Sequence, residues 1–166
     1  MEEIGVLSDT HISKPDANLK GIFNEGGAFN KIETVIHAGD FTTVDIVDFI
    51  EENSSKFYGV QGNMDDYEIR GRLPFKKIIE VKGIRIGLTH GWGPPYDLRE
   101  RVYEYFDDPS LDCIVFGHSH KPNNSYIRNT LMFNPGSFKG SLFSTGRTAG
   151  KLIIEKGRVK GEIIRL

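Results

Sequence analysis

Residues 113–120 read Cys113-Ile114-Val115-Phe116-Gly117-His118-Ser119-His120, an apolar β-type run followed by glycine and two histidines one residue apart. Four apolar residues bounded by a glycine read as a buried strand. The whole chain holds only five histidines, so two of them just past one strand end are a concentration worth explaining. Alone, the pair reads equally well as two polar side chains in a turn. The other strand ends decide between the two.

Working outward, short β-rich runs recur at Ile4–Leu7, Thr34–Ala38, Phe57–Val60, Ile78–Val81 and Ile84–Thr89. After Cys113–Phe116 come Ser125–Arg128, Leu131–Phe133, Leu152–Glu155 and Val159–Ile164. Helical spacing of apolar residues predicts helices over Asn18–Phe29, weakened at its end by Gly26 and Gly27, over Thr43–Glu52, and over Tyr96–Phe106 after Pro94-Pro95. Thr42 or Thr43 is a suitable cap for the second. Val81-Lys82-Gly83-Ile84 and Lys156-Gly157-Arg158 read as hairpin turns. The first half alternates β and α, and the end is nearly all β. This pattern predicts an α/β fold: an α/β/β/α sandwich of two packed mixed β-sheets flanked by helices, as one domain over residues 1–166.

Composition fits that reading. The 166 residues are 38% apolar and 27% charged, and one core suffices for this length. A formal charge of −2 supplies no global footprint for a polyanion, so no stable nucleic-acid complex is expected. Cys113 is the only cysteine, which leaves no intrachain disulfide and reads as a small buried hydrophobe. No basic leader and no membrane-length apolar run is present, so the expectation is a cytoplasmic protein with no membrane association.

Ligands of α/β sheets bind beyond the carboxyl ends of the strands. There the sequence places Ser8-Asp9-Thr10-His11, then Gly39-Asp40, then Gln61-Gly62-Asn63-Met64-Asp65, then His90-Gly91, and finally Gly117-His118-Ser119-His120. Asp9, His11, Asp40, Asn63, His90, His118 and His120 are imidazole, carboxylate and amide donors, without a thiolate. Such donors suit Mn²⁺, Fe²⁺, Ni²⁺ or Zn²⁺ and argue against a structural zinc site. Seven donors exceed one catalytic ion and match two ions sharing a carboxylate, for which Asp40, with two oxygens beside a glycine, is the natural bridge. With only Asp9 and Asp40 negative, two divalent cations keep a positive surplus that attracts phosphate. Two metals about 3.5–4 Å apart lower the pKa of a shared water from about 15.7 towards roughly 7 and clamp phosphoryl oxygens during in-line attack.

Asp-x-His, Gly-Asp, Gly-Asn-x-Asp, His-Gly and Gly-His-x-His, in this order, resemble the calcineurin-like metallophosphoesterase superfamily. The short chain, Met64 within the third motif and the Asn134-Pro135-Gly136-Ser137 turn make it similar to the small bacterial and archaeal phosphodiesterases related to Vps29. The resemblance runs from Ile4 to about Gly150. It implies a metal-dependent phosphoric diester hydrolase acting on a small phosphodiester through a metal-bound hydroxide, with two divalent ions, foremost Mn²⁺. It puts Asp9, His11, Asp40 and His120 around one ion, and Asp40, Asn63, His90 and His118 around the other. The paired histidines would then serve one ion each from a single tight turn, since residues two apart in an extended stretch can face one pocket. Asp40, Asn63 and Asp65 are the implied catalytic residues. A Vps29-like interaction scaffold with a vestigial site, a phosphomonoesterase and a nuclease are the competing readings. The sequence leaves a homo-oligomer open.

Other residues carry blander readings. His37, inside a strand run, is a packed core residue. Asp65 either orients a ligand histidine or caps the next segment. Trp92 and Tyr96 either wall a substrate cleft or pack a rigid proline loop. Lys139 and Arg147, in the glycine-rich stretch 136–150, either meet a phosphate or are solvated. Met64 stands where many relatives of the superfamily carry histidine, and a thioether cannot protonate a leaving group.

Overall fold

Alternation along the strands decides the layering. In the computed structural model, which describes residues 1–140 and 146–166, the elements in chain order are β1 (Glu2–Leu7), α1 (Ala17–Phe23), β2 (Thr34–His37), α2 (Val44–Glu52), β3 (Lys56–Gly59), α3 (Tyr67–Arg72) and β4 (Lys76–Val81). There follow β5 (Ile84–Thr89), α4 (Leu98–Phe106), β6 (Cys113–Val115), β7 (Asn123–Ile127), β8 (Thr130–Asn134), β9 (Thr148–Glu155) and β10 (Arg158–Arg165). One sheet has the order β10-β9-β1-β2-β3 and the other β4-β5-β6-β8-β7. Both are mixed: β1, β2 and β3 run parallel, as do β5, β6 and β8, with antiparallel strands beside them.

Ile4 and Val6 face the second sheet, where Ile86, Leu88, Cys113, Val115 and Phe133 meet them in the inter-sheet core. Leu7 and Val35 face the other way and pack under α1, α2 and α3 with Leu19, Ile46, Ile50 and Ile69. Ile114 and Met132 lie on the outer face of the second sheet under Leu98, Val102 and Phe106 of α4. Each fully buried aliphatic side chain contributes roughly 1.5–3 kcal/mol relative to exposure. The expected α/β/β/α sandwich is the observed fold.

Local chemistry explains the boundaries. In the two hairpins expected from the sequence the turn pairs, Lys82-Gly83 and Lys156-Gly157, take positive φ at both residues, the backbone that matches the twist of the flanking strands. Helix α1 is capped by Asp16, which accepts from the Leu19 N–H. It ends at Phe23 rather than continuing to Phe29, because the chain folds back so that the Phe29 N–H reaches the Ile22 carbonyl. Helix α4 starts at Leu98, two residues later than the sequence suggests. Helix α3, absent from the sequence reading, is one short turn-and-a-half capped by Asp66 on the Ile69 N–H.

His37 is fully buried and stacked on Phe41 with ring centroids 3.7 Å apart. Its Nδ1 accepts from the Gly39 N–H, so Nε2 carries the proton beside Thr10 Oγ1. Burial pushes its pKa down to about 3. The folded state therefore favours the neutral ring. The stability this provides is complete above the ordinary value of 6.5 and is lost as pH falls from there towards about 3. Exchanging His37 for Gln should flatten that loss. Urea midpoints compared at about pH 7 and about pH 5 should fall less in His37→Gln than in the parent, and an equal fall refutes the assignment.

Candidate metal centre

The five polar loops lie at one end of the two sheets and face each other across the seam. Asp9 and His11 follow β1, Asp40 follows β2, and Asn63 follows β3. His90 follows β5, and His118 and His120 follow β6. Asp9, His11, Asp40, His118 and His120 all hold left-handed backbone, with φ of 52°, 45°, 59°, 67° and 57°. A non-glycine residue there costs of order 1–3 kcal/mol and persists only where its surroundings impose it. The Gly117–His120 stretch is a tight turn, as the sequence suggests, closed by Ser119 N–H on the Gly117 carbonyl. The turn still sends its two histidines to different neighbours.

His120 Nε2 lies 3.1 Å from Asp9 Oδ1 and 3.3 Å from His11 Nε2. Asp40 Oδ2 is 3.5 Å from His11 Nε2 and 3.3 Å from His90 Nε2. Asn63 Oδ1 stands between His90 Nε2 at 3.1 Å and His118 Nδ1 at 3.0 Å. Two groupings thus meet at Asp40: one of Asp9, His11 and His120, the other of His90, Asn63 and His118. Both of these contacts run to Asp40 Oδ2, while Oδ1 accepts the Met64 N–H at 2.8 Å.

The tautomers follow from the partners. His90 Nδ1 donates to the Ala38 carbonyl, leaving Nε2 with its lone pair towards Asp40 and Asn63. His118 Nε2 donates to the Gly93 carbonyl, which leaves Nδ1 as the inward donor atom. A second hydrogen bond that fixes ring and tautomer is what metal-ligating histidines require.

The electrostatics point the same way. Burial alone would raise the pKa of Asp9, but His11, His120 and the Ser8 hydroxyl hold it well below the usual carboxylate range. Asp40 is likewise lowered, burial being outweighed by His90 and the Met64 N–H. Burial works against a charged His90, yet Asp40 and Asp9 raise its pKa, and Asp9 raises that of His120. Asp9 Oδ1 is fully buried and receives no aligned hydrogen bond, although His120 is 3.1 Å away. An orphaned buried carboxylate oxygen costs free energy unless a cation meets it. Asp9, His11 and His120 offer donor atoms within 4.8 Å of one another, and so do Asp9, Asp40 and His90. These residues fit divalent ions.

Several supports act through main-chain bonds that the sequence does not show. Asp65 neither orients a histidine nor caps α3. It is buried, and its oxygens accept the N–H groups of Asp40, Thr42 and Gly62. Burial raises its pKa while those N–H groups oppose the rise. Its role is to set the Asp40 backbone. Arg70 clamps the same loop through the Asp65 and Asn63 carbonyls. Asn134 donates to the Gly117 carbonyl, and Ser137 donates to the Asp9 carbonyl, so the Asn134-Pro135-Gly136-Ser137 turn braces both flanking loops. Lys139 is exposed and meets Asp9 only through its backbone N–H, while Arg147 lies 5.7 Å over the Phe138 ring. Residues 141–145, within the same glycine-rich stretch, lie outside the described residues. Trp92 borders a cavity beside His90, whereas Tyr96 does not line it and is exposed.

Known proteins carry the same framework. Residues 2–157 match the Calcineurin-like phosphoesterase superfamily domain. A probable metallophosphoesterase of Methanocaldococcus jannaschii is 35% identical over 136 residues, covering 81% of this chain and 67% of its own. A phosphodiesterase of the same organism is 29% identical over 168 residues, covering 93% and 94%. The crystal structure of Vps29 from Entamoeba histolytica with Zn²⁺ superposes with a TM-score of 0.72 at 23% identity, covering 98% of each chain, a likeness of fold. The motif order read along the strands and the domain match agree: this chain belongs to the calcineurin-like phosphoesterase superfamily.

Proposed function

We propose that the chain, working as one domain over residues 1–166, hydrolyses small phosphodiesters with two divalent ions, Mn²⁺ foremost. The observation that carries this is the meeting of two donor groupings on one oxygen, Asp40 Oδ2, beside the orphaned Asp9 Oδ1. Asp9, His11, Asp40 and His120 would hold one ion, and Asp40, Asn63, His90 and His118 the other. When bound, such a pair supplies Lewis acidity towards phosphoryl oxygens and a nucleophilic hydroxide at neutral pH.

The chain's own residues set the rest. Asn63 presents a neutral oxygen between two histidines, which keeps the site's negative charge low. Asp65 and Arg70 hold the 62–65 loop so that the Met64 N–H fixes Asp40. Met64 is largely exposed and offers no proton to a departing alkoxide. A general acid contributes about 10²–10⁴-fold where the leaving group needs one, so activated aryl diesters suit this site better than alkyl diesters. The named phosphodiesterase relative supports the diester reading.

The test uses purified protein, elemental analysis and bis(p-nitrophenyl) phosphate. Loading with Mn²⁺ or Ni²⁺ should give two ions per chain and hydrolysis of the diester. Protein that takes up neither ion and stays inactive overturns the enzyme reading in favour of a Vps29-like scaffold. Faster turnover of p-nitrophenyl phosphate or of single-stranded DNA overturns the diester assignment in favour of a monoesterase or nuclease.

A further inference from the structure

A cavity of about 390 Å³ adjoins the donor cluster and shares Asn63 and His90 with it. Its far side is built from Phe75, which precedes β4, Trp92, which follows β5, and Tyr105 on α4. Phe75 is 69% exposed and Trp92 43%, a large aromatic surface left open beside the donor cluster. Trp92 stands edge-on to Tyr105 with centroids 4.9 Å apart, and the Lys76 ammonium lies 4.4 Å from the Tyr105 ring centre.

Two polar side chains of this wall are already committed. Gln61 Nε2 donates to the Leu73 carbonyl and Thr89 Oγ1 to the Phe75 carbonyl. The wall is also fixed in place before anything binds. Arg101 donates to the Trp92 and Pro94 carbonyls, and His118 donates to the Gly93 carbonyl from the ring that faces Asn63. One histidine therefore ties the aromatic loop to the donor cluster. Sites of roughly 300–1,000 Å³ receive whole small molecules, so this cavity has room for more than the phosphate itself.

We propose that the cavity receives a planar aromatic group joined, directly or through a sugar, to the phosphate ester held at the donor cluster. This deepens the function proposed above and rests on it for the position of the phosphate. Recognition is by stacking on Phe75 and Trp92. With Gln61 and Thr89 spent on backbone carbonyls, the aromatic faces carry the recognition, and faces tolerate different rings. A nucleobase and a simple aryl ring share this chemistry.

Trp92 is the only tryptophan, so ligand entry is read directly by its fluorescence, without turnover. Adenosine 5′-monophosphate should quench it saturably, and ribose 5-phosphate at the same concentrations should not. Phenyl phosphate distinguishes the sources: quenching as tight as that of the nucleotide identifies a general aryl site, and much weaker quenching identifies a base site. Phe75→Ala, a change at an exposed side chain, should weaken nucleotide binding about tenfold, within the range expected for losing one stacking partner. Equal quenching by ribose 5-phosphate, or unchanged nucleotide affinity in Phe75→Ala, overturns the proposal. If the nucleotide quenches but no diester is hydrolysed, the hydrolase reading fails and the aromatic site stands. If diesters are hydrolysed but the aromatic preference is missing, the aromatic site alone fails.

Discussion

Asp40→Asn should lose one of the two ions and with it nearly all hydrolysis, while the fold survives. The reason lies in how the two carboxylate oxygens are used. Oδ1 must keep accepting the Met64 N–H, so an asparagine at this position is forced to place its carbonyl there. Its NH₂ then takes the place of Oδ2, facing His11 and His90 with protons in place of a lone pair. The substitution removes the shared ligand and half of the carboxylate charge of the seven donors. Metal pairs supply several kcal/mol of transition-state stabilisation, which corresponds to a fall of about 10³-fold or more in kcat. Elemental analysis and initial rates on one preparation are the measurement, with circular dichroism as the check on folding. Two tightly held ions at full activity would show that Asp40 does not bridge.

Gly62→Ala should be nearly as damaging although Gly62 offers no ligand atom. A Cβ at this position would stand 2.1 Å from Asp40 Oδ1 and 2.4 Å from the Asp40 backbone nitrogen. The second of these is main chain, so no rotamer relieves the clash and the loop carrying Asp40 must move. The shift would also pull the Gly62 N–H off Asp65, the carboxylate that sets the Asp40 backbone. Metal affinity should fall roughly 10–100-fold, as it does when supports of metal ligands are removed. Overpacking should cost about 1–3 kcal/mol of stability. Gly71→Ala is the control, because nothing lies within 4 Å of its Cβ and α3 accepts alanine. Calorimetric titration with Mn²⁺ and urea denaturation of both variants decide the matter. Unchanged affinity in Gly62→Ala would mean that the loop adapts and that close packing is not what positions Asp40.

What the sequence disclosed follows from the physics of each element. Most strands were legible because they are apolar runs closed by glycine or a polar cluster, and β5 has the bounds expected, Ile84–Thr89; β7, Asn123–Ile127, is the polar exception. The gathering of polar residues was legible because parallel strands deliver their carboxyl ends to one edge. Helix α3 was not legible, since six residues burying only Ile69 carry no periodicity. The left-handed backbone at Asp9, His11, Asp40, His118 and His120 was hidden too, because Asp and His take positive φ more often than most residues yet only in a small share of their positions. The roles of Asp65, Asn134 and Ser137 lie in bonds to main-chain groups far away in the chain, and residue type alone does not announce such bonds. Phe75, Trp92 and Tyr105 come from three separate elements, and only the fold makes them a wall.

The seam between the sheets has a kinetic consequence. The first sheet contributes Asp9, His11, Asp40 and Asn63, and the second contributes His90, His118 and His120, so neither sheet holds a complete set for either ion. His11 and His120 meet across 109 residues of chain. Closing a loop of that length is late work for a folding polypeptide, and a cation has no complete seat until it is done. Ions bound this way would act on the native state and hardly on the barrier that leads to it. They would lengthen the lifetime of the folded chain while leaving its rate of formation almost untouched. The same ions that serve the chemistry would then act as a lock on unfolding, closed only after the two sheets have found each other.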